Sequence, residues 1–288
     1  MAKVAFLGLG VMGFPMAGHL HAKGHDVTVY NRTHAKAAQW VAKHGGAVGR
    51  TPAAAVRGAA VVFSCVGDDP DLRQVTLGEN GAFAAMAKGC VYVDHTTASA
   101  DIARELAANA SELGLGWVDA PVSGGQAGAE NGVLTVMCGG NDADYAIAEP
   151  VIQSYARMCK LLGPAGSGQL AKMVNQICIA GLVQGLSEGI NFGMRAGLDM
   201  KATLDVLGKG AAGSWQMENR GKTMVDGKFD FGFAVDWMRK DLRIALEEAA
   251  RQQAAMPATG MVKGFYDDVS AAGGNRFDTS SLITRLRK

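Results

Sequence analysis

Residues 3–13 read KVAFLGLGVMG, an apolar run followed by three glycines in the spacing G-x-G-x-x-G. The run predicts a strand over 3–7, and the residues after it predict a helix over 14–23. Gly8 permits a tight turn, Gly10 lets a pyrophosphate approach the backbone, and Gly13 allows close packing of helix on strand. The helix N-terminus offers N–H groups and a positive dipole end to the phosphates. The stretch predicts a dinucleotide site made by Gly8, Leu9, Gly10, Val11, Met12 and Gly13, with a glycine-rich turn in some other α/β protein as the alternative.

The end of the second predicted strand, over 27–30, indicates which dinucleotide binds. NAD sites usually carry an acidic residue there, which accepts hydrogen bonds from the adenosine ribose. This chain instead has Asn31 followed by Arg32 and Thr33. A guanidinium can hold a 2′-phosphate with two parallel charge-assisted hydrogen bonds, and the Thr33 hydroxyl adds another donor. The pattern favours NADP, with NAD as the alternative if Arg32 is an ordinary solvated arginine.

Composition restricts the class of protein. The chain has 288 residues, enough for one large or two ordinary domains. With 48% hydrophobic and 19% charged residues and a net charge of +1, it has the composition of a globular protein. It has neither a basic stripe for nucleic acid nor an apolar run long enough for a bilayer, and no signal peptide, so we expect a cytoplasmic protein. Five scattered cysteines, without C-x-x-C spacing, support neither disulfides nor a metal site.

The first half of the chain alternates short β-branched runs with helical patterns, which predicts a parallel sheet with helices on both faces. Ligands of such sheets bind at the carboxyl ends of the strands. The strands are predicted over 3–7, 27–30, 61–66, 91–94, 116–119, 133–138 and 160–162.

The second half changes character after the break at 164–168, which reads PAGSG. A long apolar helix is predicted from 169 to about 196, of a kind that suits burial between a sheet domain and a helical domain. Further helices are predicted over 201–207, 215–225, 234–254 and 257–272, without a clear strand. We therefore expect a dinucleotide-binding domain over 1–163 and a helical substrate and oligomerisation domain over 164–288.

Two segments outside the glycine loop carry polar groups where chemistry could occur. Ser123, Gly124 and Gly125 follow a predicted strand, and their hydroxyl and N–H groups could cradle a carboxylate; a simple strand-to-loop turn is the alternative. Lys172 lies near the start of the long helix, and Asn175 shares its face. Because burying an unpaired ammonium is costly, Lys172 either lies at the helix edge or has a function.

The chain resembles the β-hydroxyacid dehydrogenases over its whole length. This family contains 3-hydroxyisobutyrate dehydrogenase, tartronate semialdehyde reductase and glyoxylate/succinic semialdehyde reductase. The resemblance is carried by 6–16, 119–125, 168–175 and 240–242, which hold the family motifs in order. It implies an N-terminal Rossmann doubly wound sheet, a long interdomain helix and a C-terminal all-helical domain. It also implies a homodimer or homotetramer in which the helical domain completes the neighbour's site.

The resemblance implies roles for particular residues. Lys172 looks like the catalytic lysine and Asn175 like the amide that positions the substrate. Ser123, Gly124 and Gly125 look like the loop that binds the substrate carboxylate. The remaining implied cofactor contacts are Val66 and Gly67 beside the adenosine, Thr96 and Thr97 on the nicotinamide side, and Lys240 from the second domain. Without the resemblance, the sequence around Lys240 would indicate only a solvated pair of charges, Lys240 and Asp241.

The subfamilies are each matched only in part. Many 3-hydroxyisobutyrate dehydrogenases have Asp-Leu where this chain has Asn31-Arg32. Many also have Ser-Gly-Gly-Asn-Trp where this chain reads AAGSW at 211–215. The loop at 126–129 lacks the paired lysines of the succinic semialdehyde reductases. We expect hydride transfer between NADP(H) and a small carboxylate-bearing hydroxyacid or semialdehyde. An imine reductase and a non-catalytic dinucleotide-binding module are the alternatives, and both usually lack the lysine found at position 172.

Overall fold

The computed structural model describes residues 1–287, which divide into two compact units. The first unit runs from Met1 to Lys172 and the second begins at Met173. The proposed domains, 1–163 and 164–288, differ from these units in where they place the first turns of the long helix.

The first unit holds a nine-stranded sheet in the order β3-β2-β1-β4-β5-β6-β8-β7, with β9 paired to β8. The pairs from β3 through β6 are all parallel, which is the doubly wound Rossmann arrangement. The strands are β1 (Lys3–Leu7), β2 (Asp26–Tyr30), β3 (Ala47–Val48), β4 (Val61–Ser64), β5 (Val91–Asp94), β6 (Gly116–Asp119), β7 (Val122–Ser123), β8 (Leu134–Gly140) and β9 (Ala156–Leu161).

Helices cover both faces of this sheet, so β1 is buried on both sides. Val4 and Phe6 pack into one core cluster and Ala5 and Leu7 into another, and all four are fully buried. Continuous apolar strands of this kind are typical of parallel sheets covered on both faces. The helices are α1 (Gly13–Ala22), α2 (His34–His44), α3 (Pro52–Val56), α4 (Asp69–Leu77), α5 (Ala100–Glu112), α6 (Gly125–Glu130) and α7 (Asp142–Ile152).

The second unit is helical in the part that the structure describes. It contains α8 (Ser167–Arg195), which begins in the first unit, then α9 (Met200–Leu207), α10 (Trp215–Val225), α11 (Val235–Arg251) and α12 (Pro257–Val269). One core cluster joins Val183 of α8 to Leu242 of α11 and Tyr266 of α12. The expected fold class, a Rossmann sheet followed by an all-helical part, is confirmed.

Several predicted boundaries were wrong. The strand predicted over 61–66 ends at Ser64, and the helix predicted over 257–272 leaves the α conformation after Val269, before Gly273 at φ +88°. The stretch 126–129, taken as a loop, lies inside α6. The apolar face of α8 is only partly buried, since the side chain of Val174 is 61% exposed.

Residues 1–287 hold neither a helix suited to a membrane nor a cluster suited to a metal ion. No helix among them combines the length and the apolar character needed to cross a membrane. No cluster of three or more His, Cys, Asp or Glu side chains there is arranged to hold a metal ion.

Candidate functional site

The glycine loop between β1 and α1 has one open position and two that are tightly enclosed. Gly8 has φ +99°, and a Cβ there would collide with the carbonyl oxygen of Cys65. A Cβ at Gly13 would collide with the carbonyl oxygen of Gly8, whereas a Cβ at Gly10 would meet no atom within 4 Å. The loop therefore leaves space at Gly10, where the sequence predicts the pyrophosphate, and the residues present fit a dinucleotide.

Leu9 of the glycine loop is held by Asn31, the residue after β2. The Leu9 N–H donates to Asn31 Oδ1 at 2.9 Å, and Asn31 Nδ2 donates to the carbonyl oxygen of Thr33 at 3.0 Å. Leu9 is buried, while Val11 is 51% exposed and Met12 occupies the N-cap of α1. Asn31 thus ties the glycine loop to the segment that the sequence assigns to the adenosine ribose.

Arg32 has a partner that sequence reasoning missed. Its Nη1 lies 2.9 Å from Oδ1 of Asp71, in the first turn of α4, and its side chain is 85% exposed. A Cβ at Gly67 would collide with Oδ2 of Asp71, so the loop after β4 approaches this carboxylate closely. An exposed ion pair contributes at most about 1 kcal/mol, so Arg32 can exchange it for a phosphate contact at little cost.

The loops after β4 and β5 are bound to each other. The Val66 N–H donates to Thr96 Oγ1 at 3.0 Å, and the Thr96 N–H donates to Asp94 Oδ1 at 3.1 Å. Ser64 Oγ also donates to Asp94 Oδ1, at 2.6 Å. Thr96 is buried and Thr97 half-buried. The structure therefore brings two of the predicted cofactor segments together, and the Thr96 hydroxyl takes part in joining them.

Two buried carboxyl groups end adjacent strands, because Asp94 of β5 is in register with Asp119 of β6. Burial is the largest effect on both groups, and it outweighs the hydrogen bonds that they accept. It raises the pKa of Asp94 to about 7 and that of Asp119 to about 6. At neutral pH, burying the charged form of these two carboxyl groups therefore lowers the stability of the folded protein.

This desolvation predicts an unusual pH dependence of stability at Asp94. Well below pH 3.8, its ordinary pKa, the group is protonated in both the folded and the unfolded chain. As the pH rises toward the folded pKa of about 7, the unfolded chain ionises first and folding is destabilised. One pKa unit corresponds to about 1.4 kcal/mol. In urea denaturation, the stability of the wild type relative to Asp94→Asn should therefore fall between these values and stay constant above them.

Asp142→Asn provides the control for that measurement, because Asp142 is an exposed carboxylate in the first turn of α7. Its stability difference from the wild type should not fall over the same pH range. A difference for Asp94→Asn that rises with pH, or that stays constant, would contradict the assigned burial effect.

The loop predicted to bind a carboxylate joins β7 to α6. Ser123 pairs with Thr135 of β8 and is half-buried. Gly124 and Gly125 have φ values of +129° and +61°, which residues other than glycine rarely adopt. A Cβ at Gly125 would meet no atom within 4 Å, so its backbone is open to approach.

Lys172 lies in the second turn of α8 and is only 7% exposed. The sequence left open whether this lysine lies at the edge of the helix or has a function, and in the structure it is buried. An ammonium at such a position is costly unless other groups interact with it, and Lys172 does interact with neighbouring groups.

Within the second unit, four polar side chains of α8 and α11 are linked; Gln176 and Asp241 are buried, and Asn175 and Lys240 are half-buried. Asn175 Nδ2 donates to Gln176 Oε1 at 2.7 Å, and Gln176 Nε2 donates to Asp241 Oδ2 at 2.5 Å. Lys240 Nζ lies 3.3 Å from Asp241 Oδ1. The hydrogen bond to Gln176 fixes the orientation of the Asn175 amide. Sequence reasoning gave Gln176 and Asp241 no role, because only the packing of α8 on α11 connects them.

Two family models match the chain. One, described as the NAD-binding domain of 6-phosphogluconate dehydrogenase, matches residues 3–163. The other, described as NAD-binding of NADP-dependent 3-hydroxyisobutyrate dehydrogenase, matches residues 166–286. Together they account for nearly the whole sequence.

Individual proteins match over their full lengths. An uncharacterised oxidoreductase of Shewanella frigidimarina is 62% identical, over 100% of this chain and 99% of its own. The 2-hydroxy-3-oxopropionate reductase of Escherichia coli is 33% identical, over 99% and 97%. The structure of Mycobacterium tuberculosis 3-hydroxyisobutyrate dehydrogenase with L-serine is 31% identical, covers 100% of both chains and has a TM-score of 0.89.

Proposed function

This chain belongs to the β-hydroxyacid dehydrogenase family of NAD(P)-dependent oxidoreductases, and we propose that it transfers a hydride between NADP(H) and a small β-hydroxyacid or its semialdehyde. The proposed substrates are of the 3-hydroxyisobutyrate type, tartronate or succinic semialdehyde, or glyoxylate. The observation that carries the proposal is the buried Lys172 in a chain that matches these dehydrogenases from end to end.

The proposed cofactor site is the glycine loop with the strand ends around it. When bound, the dinucleotide supplies or accepts the hydride. Gly8, Gly10 and Gly13 would admit its pyrophosphate, and Arg32 with Thr33 would hold the 2′-phosphate. Support for NADP comes from Arg32 and from the NADP-dependent description of the second family model. The remaining proposed contacts are Leu9, Val11, Met12, Asn31, Val66, Gly67, Thr96, Thr97 and Lys240.

Lys172 is the proposed general acid and base. During reduction, negative charge grows on the carbonyl oxygen of the substrate, and an ammonium at Lys172 would stabilise that charge and donate the proton. In the oxidation of the alcohol, a neutral Lys172 would accept the proton. Ser123, Gly124 and Gly125 would hold the substrate carboxylate and Asn175 would orient the substrate, so that one carbon faces the hydride.

The proposed function is tested by a panel of kcat/KM values. Methylmalonate semialdehyde, tartronate semialdehyde, succinic semialdehyde and glyoxylate are each measured with NADPH and with NADH. We expect at least one of them to be reduced, with NADPH preferred. No turnover with any of them would refute the proposed substrate class.

The proposed carboxylate loop predicts that the substrate must carry a free carboxylate. The methyl ester of the best semialdehyde should be a poor substrate, because it lacks the charge that Ser123 and its neighbours would meet. Ser123→Ala should raise KM for the acid about 10-fold, as expected for a lost hydrogen bond to a charged group worth about 1.5 kcal/mol or more. Initial rates for the acid and the ester check both statements.

Thr135→Ala is a matched control, since Thr135 pairs with Ser123 across β7 and β8. It removes a neighbouring hydroxyl and should leave KM unchanged. Equal kcat/KM for the acid and the ester would refute the carboxylate loop.

The alternatives both conflict with Lys172. An imine reductase shares the fold and the Asn-Arg-Thr pattern but usually lacks this lysine, and a non-catalytic binding module would have no use for it. Reduction of a cyclic imine at a higher kcat/KM than any semialdehyde would favour the first alternative. Cofactor binding without turnover would favour the second.

We also propose that the protein is a homodimer or homotetramer. Large apolar side chains lie exposed on the second unit, among them Phe192 at 72% and Val206 at 73%. A groove of about 400 Å³ formed by α8, α9 and α10 lies on the same unit. Exposed apolar patches of this kind commonly mark association surfaces.

A further inference from the structure

The first turn of α8 is capped by a carboxylate from the sheet. Asp119, the last residue of β6, is fully buried; its Oδ1 accepts the Gly166 N–H at 2.7 Å and its Oδ2 accepts the Gln169 N–H at 3.0 Å. The first N–H groups of a helix have no partner within the helix, and a negative charge there also interacts favourably with the helix dipole. The start of α8 is therefore anchored to the end of β6.

Two glycines enclose this carboxylate closely. A Cβ at Gly139 would lie 2.7 Å from Asp119 Oδ1, and a Cβ at Gly168 would lie 2.8 Å from Oδ2. A side chain at either position would collide with the carboxylate, and at Gly168 also with the carbonyl oxygens of Asp119 and Met137, each 2.5 Å from the added Cβ. The backbone of β8 and of α8 is thus shaped around the side chain of Asp119.

Gln169 makes a second connection from the same turn. Its Oε1 accepts the Ala98 N–H at 3.1 Å, and its Nε2 donates to the carbonyl oxygen of Thr96 at 2.8 Å. The side chain is 1% exposed. It therefore joins the start of α8 to the loop after β5, in which Thr96 and Thr97 are the proposed contacts on the nicotinamide side.

We propose that Asp119 and Gln169 are positioning residues that fix Lys172 for proton transfer. We call the two side chains the α8 clamp. Lys172 follows Gln169 by three residues, which is almost one helical turn and about 4.5 Å along the helix axis. A displacement of the reacting groups by about 1 Å can lower a rate about 10²-fold, so a loosened first turn affects catalysis directly. The polar atoms of both side chains are hydrogen-bonded to backbone groups, so we place them behind Lys172 rather than on the substrate.

This inference rests on the proposed function and is tested first with Asp119→Asn. The amide keeps one acceptor oxygen but turns an NH₂ group toward a backbone N–H, so the cap is broken on one side. We expect kcat to fall about 10- to 100-fold, as for a misplacement of about 1 Å, with KM for NADPH nearly unchanged. Because a smaller fraction of folded enzyme would also lower the apparent kcat, kcat is expressed per NADPH-binding site determined by titration.

Asp199→Asn is the matched control for helix capping. Asp199 caps α9 through the N–H groups of Lys201 and Ala202, at 3.0 and 3.2 Å. The same amide substitution there keeps the capping oxygen, so it should lower the melting temperature only slightly and leave kcat unchanged. If both variants lose kcat in proportion to their loss of stability, the clamp has no positioning role.

A double-mutant cycle separates positioning from an independent effect. If Asp119 acts through Lys172, Asp119→Asn should lower the wild-type rate but not the residual rate of Lys172→Ala. Multiplicative losses in the double variant, or a kcat for Asp119→Asn within twofold of the wild type, would overturn the proposal. A wild type without hydride transfer would refute the proposed function itself. A Lys172→Ala variant with full activity would refute the role of Lys172, and the clamp with it, while hydride transfer would still stand.

Gln169→Met keeps the inference testable if Asp119→Asn does not fold. Methionine is close in size and removes both side-chain hydrogen bonds while leaving the Asp119 cap in place. We expect about a 10-fold loss of kcat, again absent in the Lys172→Ala background. An unchanged kcat in this variant would overturn the role of Gln169, and multiplicative losses would overturn action through Lys172.

Discussion

Replacing Lys172 by alanine is expected to lower kcat for semialdehyde reduction by several orders of magnitude. General acid catalysis contributes about 10²–10⁴-fold, and loss of one group that stabilises an oxyanion costs roughly 10²–10³-fold. Steady-state kinetics with saturating NADPH measure the change. NADPH binding, followed by fluorescence titration, should remain nearly intact, because the glycine loop lies in another segment of the chain.

Two controls make this test specific. Lys172→Arg should not restore activity, since a guanidinium does not release its proton near neutral pH. Lys160→Ala removes an exposed lysine of β9 and should leave kcat unchanged. If Lys172→Ala retains a tenth or more of the wild-type kcat, the lysine is structural and the proposed mechanism is wrong.

Replacing Arg32 by alanine is expected to raise KM for NADPH by about 10- to 100-fold, as for hydrogen bonds to a charged group worth about 1.5–3 kcal/mol. The KM for NADH should barely change, because NADH has no 2′-phosphate. Steady-state kinetics with each cofactor measure the two values. A wild-type enzyme that prefers NADH would contradict the prediction.

Asp71→Asn separates phosphate binding from the ion pair. This variant leaves Arg32 in place but removes the charge of its partner at 2.9 Å. If Arg32 binds the 2′-phosphate, Asp71→Asn should not raise KM for NADPH, because it also removes a negative charge beside that phosphate. An increase equal to that of Arg32→Ala would show that the ion pair, and not phosphate binding, is the role of Arg32.

The sequence predicted the elements whose side chains are buried on a regular pattern. β1, β5 and β6 were predicted with the observed bounds, since each is an apolar run that ends at a turn. The bounds of α2, in which only Ala37 and Trp40 are buried, were not predicted. β9 was predicted too short, because its first residues alternate little and are held as a strand by pairing with β8.

What the sequence alone determined is local in the chain. The turn at Gly8, the helix after Gly13 and the shared face of Lys172 and Asn175 follow from spacing, because covalent geometry fixes the positions of near neighbours. The tertiary structure alone decided which distant groups meet: Arg32 with Asp71, Asp119 with the start of α8, and Gln176 with Asp241. The residues of these pairs are separated by 39, 47 and 65 positions in the chain. No periodic pattern in the sequence marks polar side chains that meet over such distances. Only the burial of apolar surface, which sets the strand order and the packing of α8 on α11, brings them within hydrogen-bonding distance.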